Sequence, residues 1–404
     1  ISDNIKKTRE GLAMSFIKNL ATQMLSARLN EISKKADSPF AASYAGDGSY
    51  VVSKTKDAWT AIGVSKEGKV GETIAALVRE NERVKRFGFI DAEVERAKAN
   101  LLQSYENAYN NRNKQQNRAY INEYVASFTN NEPIPGIEYE FNFAKQVLPL
   151  ISAEQVNQFM QSIMTNKNVV ISVMGPEKEG LIYPSDNEIL QVYNAVESEN
   201  ITAYEETVSN EPLIAQMPKA GKIVKSVKNE VLGTTEWTLS NGMKVILKKT
   251  DYKDDQIIMS SIAYGGTSII PDSDIYNANF ASMVPRIGGI GNFSATDLKK
   301  VLAGKTASVS PSISEWTQGF GGSSNIKNAE TLLQLTYLHF TAPRKDEESY
   351  LSIMELVKNQ LKNAQSDPSS VFGDSITYAL YGDNPRTKSM KLEDADKLNY
   401  DRII

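Results

Sequence analysis

The chain has 404 residues, 41% of them hydrophobic and 23% charged, with a net charge of −4, a balance that fits a globular protein with room for two or three domains. One histidine, His339, and no cysteine leave no disulfide framework, no cysteine nucleophile and no usual set of three protein ligands for catalytic zinc. There is no Lys/Arg stripe for nucleic acid, no phosphate-binding glycine motif, and no apolar run near the ~18 to 20 residues of a membrane span.

Residues 4–35 read as one helix, because Leu12, Phe16, Leu20, Met24, Leu25, Leu29 and Ile32 recur at three- and four-residue spacing. It stops before Ser38-Pro39, since the residue before proline resists the helical region. Phe40 to Ala45, a Gly46-Asp47-Gly48 turn, Ser49 to Lys54 and Trp59 to Ser65 predict an antiparallel run. Helices are expected at 71–87, at 92–117 behind Asp91, at 117–130, at 137–148, and from Ser152 as an N-cap. Residues 168–176, Asn-Val-Val-Ile-Ser-Val-Met-Gly-Pro, read as a buried strand ended by a breaker pair. Lys178 to Leu232 is polar, with prolines at 184, 212 and 218, and reads as a connector carrying one helix, 187–197.

The second half opens with Trp237-Thr-Leu-Ser-Asn-Gly-Met-Lys-Val-Ile-Leu, a hairpin around Asn241-Gly242, where asparagine and glycine tolerate positive φ. Gln256 to Ala263 reads as a third strand. A helix capped by Asp272 or Asp274 is expected to carry Ile275, Ala278, Phe280, Ala281 and Met283, and Gly288-Gly-Ile-Gly to be a helix C-terminal turn. Strands at 307–313 and 316–323 and helices at 328–340, 347–364 and 370–381 follow, with Leu351, Met354 and Leu361 inward on the second helix. His339 lies on an apolar helix and reads as a structural histidine.

Leu239-Ser-Asn-Gly-Met-Lys-Val, a strand ending in Gly265-Gly266 and a helix shortly after it resemble the start of a domain of the M16 (pitrilysin, or inverzincin) metallopeptidases. In active members that helix carries H-x-x-E-H, whose histidines ligate zinc while the glutamate activates water. The matching positions here hold Asn279, Ser282 and Met283, and the position of the third ligand, a glutamate on a later helix, matches Gln360. All four depart from the motif, so the resemblance implies the fold without zinc chemistry in this chain.

The resemblance implies an α+β protein of two M16-type domains, each an antiparallel sheet packed with several helices. They are expected at 1–176 (first strands missing) and 234–404 (C-terminal end missing), joined by a connector at 177–233. It implies an internal, non-catalytic, substrate-chamber part of a zinc endopeptidase, with no metal here and zinc in the catalytic domain of the longer protein. The implied partners are an extended peptide and other M16 domains of the same protein, with no nucleic acid and no membrane span. The implied compartment is exported, in the bacterial periplasm or envelope. The polar strand from Trp316 to Ser324 is the expected peptide-binding edge, with Trp316, Gln318 and Phe320 as candidate contacts. The alternative is a structural scaffold that keeps the M16 fold without activity.

Overall fold

The computed structural model describes residues 5, 7–50, 56–165, 167–177, 180–206 and 211–404. The first core forms around helix α1 (Arg9–Ser33), held at its start by Thr8, whose hydroxyl accepts the Gly11 N–H. Phe16, Leu20, Met24, Leu25 and Leu29 are buried as their spacing predicts; residues 4 and 6 lie outside the described residues. Strands β1 (Phe40–Ser49) and β2 (Asp57–Ser65) form an antiparallel pair over α1.

Helices α2 (Val70–Phe87), α3 (Asp91–Asn110), α4 (Asn117–Asn130), α5 (Ile137–Val147) and α6 (Ala153–Ile163) complete this half. The expected helices are present, but α3 ends at Asn110 and does not run on to 117, and Asp91 is its first helical residue with Ile90 at the N-cap position. α3 is held at its start by Glu93, which accepts the Ile90 N–H, and α6 by a reciprocal Ser152–Gln155 capping box. Val84, Phe89, Val94, Ala97, Phe143, Ala144, Leu148, Val156 and Met160 close the core.

Two expectations for this half are corrected. Gly46-Asp47-Gly48 is not a turn: β1 runs straight through it, pairing Gly46 with Thr60 and Asp47 with Trp59. Tyr50 N–H instead bonds Lys56 C=O across the hairpin end, and the expected strand residues 51–54 lie outside the described residues. Residues 168–176 pair with no strand, and Met174 is 94% exposed. Among the described residues the first sheet has two strands, and no sheet edge takes this run as a third.

The middle of the chain holds helix α7 (Asp186–Ser198), capped by a Ser185–Glu188 box, and a strand that the sequence reading missed, β3 (Ile223–Asn229). Polar composition disguises β3. It pairs with β4 (Thr234–Leu239), which pairs with β5 (Lys244–Leu247) across the expected Asn241-Gly242 turn, with Gly242 at φ 85°. Residues 178–179 and 207–210 of the expected connector lie outside the described residues.

A third sheet follows. The expected single strand 256–263 is two short ones, β6 (Ile257–Ser260) and β7 (Ala263–Tyr264). Both lie on one side of β9 (Thr317–Ser324), and β8 (Ala307–Ile313) lies on the other. Helices α8 (Ile275–Ala281), α9 (Val284–Gly288), α10 (Ala295–Val301), α11 (Ala329–Thr341), α12 (Glu347–Ala364), α13 (Pro368–Tyr381), α14 (Leu392–Ala395) and α15 (Tyr400–Ile403) follow in this half. Its apolar side chains gather in two clusters. One contains Val284, Ile287, Tyr350, Met354, Tyr400 and Ile403; the other contains Leu213, Ile290, Phe293, Leu335 and Leu338. Of the residues expected inward on α12, Leu351 faces solvent instead.

The two halves meet through polar side chains. An asparagine face of α3 contacts the second half: Asn100 accepts the Gly304 N–H, Asn107 bonds the Thr306 hydroxyl, and Asn110 bonds Asp255. Beside it lies a cluster that includes the middle segment. Lys300 of α10 sits 2.7 Å from Glu31 and 3.0 Å from Glu206, Arg96 pairs with Glu206 at 2.7 Å, and the Tyr204 hydroxyl donates to Glu31. Lys66 reaches Glu355 at 2.5 Å on the other side.

Candidate functional site

The four positions of the degenerate motif lie on two packed elements. Met283 and Phe280 pack against the cluster that holds Met354, Val357 and Leu361 of α12, so the segment after α8 does lie against α12. Asn279 is exposed, Ser282 and Met283 are half-buried, and Gln360 is exposed. The expected continuous helix is broken. α8 ends at Ala281 and α9 starts at Val284, because Pro285 has no N–H to offer and its ring collides with the carbonyl four residues back, that of Ala281. Ser282 and Met283 therefore occupy a turn between two short helices.

Asp274 does not cap α8 as expected; it pairs with Arg402, and Arg402 draws its pKa below the usual aspartate range, helped by Asn277. Chemically the four positions offer two amides, a hydroxyl and a thioether. Zinc takes thiolate, imidazole or carboxylate, so this donor set does not fit the metal. Among the described residues no three His, Cys, Asp or Glu side chains converge as a metal site.

His339 is half-buried on α11. Its Nδ1 lies 2.7 Å from the Leu335 carbonyl, which can only accept, so Nδ1 carries the proton. Burial pulls its pKa below the usual value, and its ring meets the edge of Phe320. The carbonyl bond and the Phe320 contact hold its ring as a packed side chain of the helix.

The peptide-edge expectation for residues 316–324 is corrected at the backbone. β9 is the central strand of its sheet: Ser324 pairs with both Ile257 and Ala307, and Gly322 with both Met259 and Val309. Its N–H and C=O groups are used on both sides along most of its length, so no strand can add there. Of the candidate side chains, Trp316 is exposed, Gln318 is exposed at the β7 end, and Phe320 packs on Phe340 and His339.

The sequence reading also missed Arg28. It lies inside the apolar stripe of α1, between Met24, Leu25 and Leu29, and it is 2% exposed. A charge in the middle of such a stripe was the signal available. Arg28 bonds Glu93 and the Gly88 carbonyl, and its guanidinium lies over the rings of Tyr204 and Phe89. It fastens the middle segment to the first core.

No helix among the described residues is long and apolar enough to cross a membrane. No protein-family model matches the chain. Its sequence is 28% identical over 318 residues to "Zinc protease PQQL-like" of Arabidopsis thaliana, covering 78% of this chain and 31% of the relative. It is 21% identical over 328 residues to "Probable zinc protease PqqL" of Escherichia coli, covering 81% of this chain and 35% of the relative. Among solved structures, a mutant of the ferredoxin protease FusC in complex with Arabidopsis ferredoxin shares the fold at a TM-score of 0.58 and 16% identity. That match covers 98% of this chain and 43% of FusC. The chain thus spans about a third of the length of the curated relatives it matches. The chain is thus similar in sequence to zinc proteases of the PqqL type over about four fifths of its length, and it shares an α+β fold with FusC.

Proposed function

We propose that this chain is a non-catalytic, substrate-chamber part of an M16-type zinc endopeptidase. The observation that carries the reading is the similarity to a zinc protease over 318 residues, in a chain whose motif positions hold Asn279, Ser282, Met283 and Gln360. Zinc and the attacking water belong, on this reading, to another part of the longer protein. The division into residues 1–176, 177–233 and 234–404 is part of the proposal, as are an extended peptide substrate and contacts with further M16 domains. Trp316 and Gln318 remain candidate substrate contacts through their side chains alone. An exported compartment is proposed too, supported by the E. coli relative, which is described as a periplasmic protease.

The test is metal content together with peptide cleavage, measured on this chain and on the longest form of its protein. Zinc and cleavage in the longer form and neither in this chain is the expected result. Stoichiometric zinc with cleavage in residues 1–404 would overturn the reading of the four positions. Neither in the longer form would favour an inactive M16-fold scaffold.

A further inference from the structure

The chain is acidic overall, yet one stretch is strongly basic. Residues 217–249 hold seven lysines (Lys219, Lys222, Lys225, Lys228, Lys244, Lys248 and Lys249) against two acids, Glu230 and Glu236. The stretch folds as the β3–β4–β5 sheet, and all seven lysines are exposed. Among the described residues no helix covers either face of it, and every residue of β3 is exposed. The ion pair this sheet makes among the described residues is Lys244 with Glu236, at 3.4 Å.

β3 is an edge. Among the described residues it pairs with β4 alone, so one row of its N–H and C=O groups faces away from the sheet. Side chains of a strand alternate between faces. Lys225 and Lys228 therefore project to opposite faces of β3, and a strand laid along this edge would meet positive charge above and below. Between the lysines, Val224 is 63% exposed and Val227 stands 45% exposed. An edge defended only against aggregation is blunted by charge, whereas this one keeps apolar side chains open beside its lysines. A nucleic acid would use the charge and leave the valines and the backbone row unanswered. An acidic polypeptide strand answers all three features: carboxylates for the lysines, apolar side chains for the valines, and its own backbone for the free edge.

We propose that the outer edge of β3 binds an acidic, extended polypeptide segment by strand addition, with Lys225 and Lys228 selecting the charge. The proposal stands apart from the peptidase reading, since it requires no cleavage.

The test is fluorescence anisotropy with a labelled peptide of the length of β3, carrying glutamate at every third position among valine and threonine. The same peptide with lysine in place of glutamate, and with alternate backbone nitrogens methylated, serves as control. The glutamate peptide is expected to bind whether or not zinc is present, the lysine peptide at least tenfold more weakly, and the N-methylated one not at all. Lys225→Glu with Lys228→Glu, both at exposed positions, is expected to abolish binding, and raising the salt severalfold is expected to weaken it. Equal binding by the charge-reversed protein, or by the methylated peptide, would overturn the proposal. So would an anionic lipid vesicle or a single-stranded oligonucleotide that binds the edge more tightly than the peptide does. Absence of peptide binding in the longest form of the protein, with binding in residues 1–404, would also overturn it, because the edge would then be covered by the protein itself.

Discussion

Arg28 and Glu93 meet through two parallel hydrogen bonds, Nε to Oε1 at 2.7 Å and Nη2 to Oε2 at 2.6 Å, with both side chains almost wholly buried. Glu93 also accepts the Ile90 N–H, so one carboxylate starts α3 and neutralises the guanidinium. Removing one partner of a buried pair strands the other charge, which costs about 3–5 kcal/mol. Glu93→Gln is therefore expected to lower stability by that order in urea unfolding. Replacing both partners with apolar residues, Arg28→Met with Glu93→Leu, should recover much of the loss. A double variant as unstable as Glu93→Gln would show that the pair matters for more than charge balance, through the Ile90 cap or the stacking on Tyr204.

Lys34 gives a prediction in pH. Burial against α10, reinforced by Lys299, pulls its pKa down to about 8, and its ammonium donates to the Thr296 hydroxyl. Below that value the folded protein holds a buried charge that the unfolded chain would carry in water. Between about pH 8 and the ordinary lysine pKa of about 10.4, the unfolded chain binds the proton more tightly, so stability from this group rises with pH. Lys34→Met is expected to melt higher than wild type at pH 7, with the difference shrinking as pH climbs through that range. A constant difference across it would mean that the methionine acts through packing alone.

The helices were legible because periodicity in α1, α2 and α12 is a local property of the sequence. The Asn241-Gly242 hairpin was legible because its backbone angles demand those residues. What the sequence hid was pairing. Nothing local says that β9 lies between β6 and β8, or that residues 168–176 find no strand partner among the described residues, since both depend on which edges the rest of the fold leaves open. Pro285 was in plain view, and its clash with the Ala281 carbonyl was enough to break the motif helix. The four motif positions come from likeness alone. Arg28, Tyr204 and Glu206, which join the middle segment to both halves, come from distant stretches and carry no shared pattern.

Glu206 is the centre of that joint. Burial pushes its pKa up, but hydrogen bonds from Arg96 and Lys300 outweigh burial and hold it below the usual glutamate value. A depressed carboxylate contributes stability that is present above the unfolded pKa and fades as pH falls through the folded one. Glu206→Gln should therefore loosen the joint at pH 7, seen as faster hydrogen exchange in residues 200–206 and 295–301 and a lower melting temperature. The gap to wild type should close in acid, where the wild-type carboxylate is protonated as well. A gap that persists unchanged to acid pH would rule out the charge of Glu206 as the fastening element.

Two glycines separate backbone strain from steric fit. Gly242 turns the β4–β5 hairpin at φ 85° with open space where a Cβ would stand. Gly289 ends α9 at φ 87°, but a Cβ there would overlap the Phe293 carbonyl oxygen and crowd Ser294 and Ala295. Both positions lie where an L side chain is strained, a penalty of roughly 1–2 kcal/mol. Gly242→Ala is expected to cost about that much, confined to the hairpin. Gly289→Ala must also move the Ile290–Phe293 turn, and both of those side chains are buried in the core with Leu335 and Leu338. Its loss should exceed that of Gly242→Ala by about 1–3 kcal/mol, the usual cost of forcing atoms into a packed core. Urea unfolding of the two variants measures the difference directly, and equal losses would mean that the turn after α9 yields without disturbing the core beneath it.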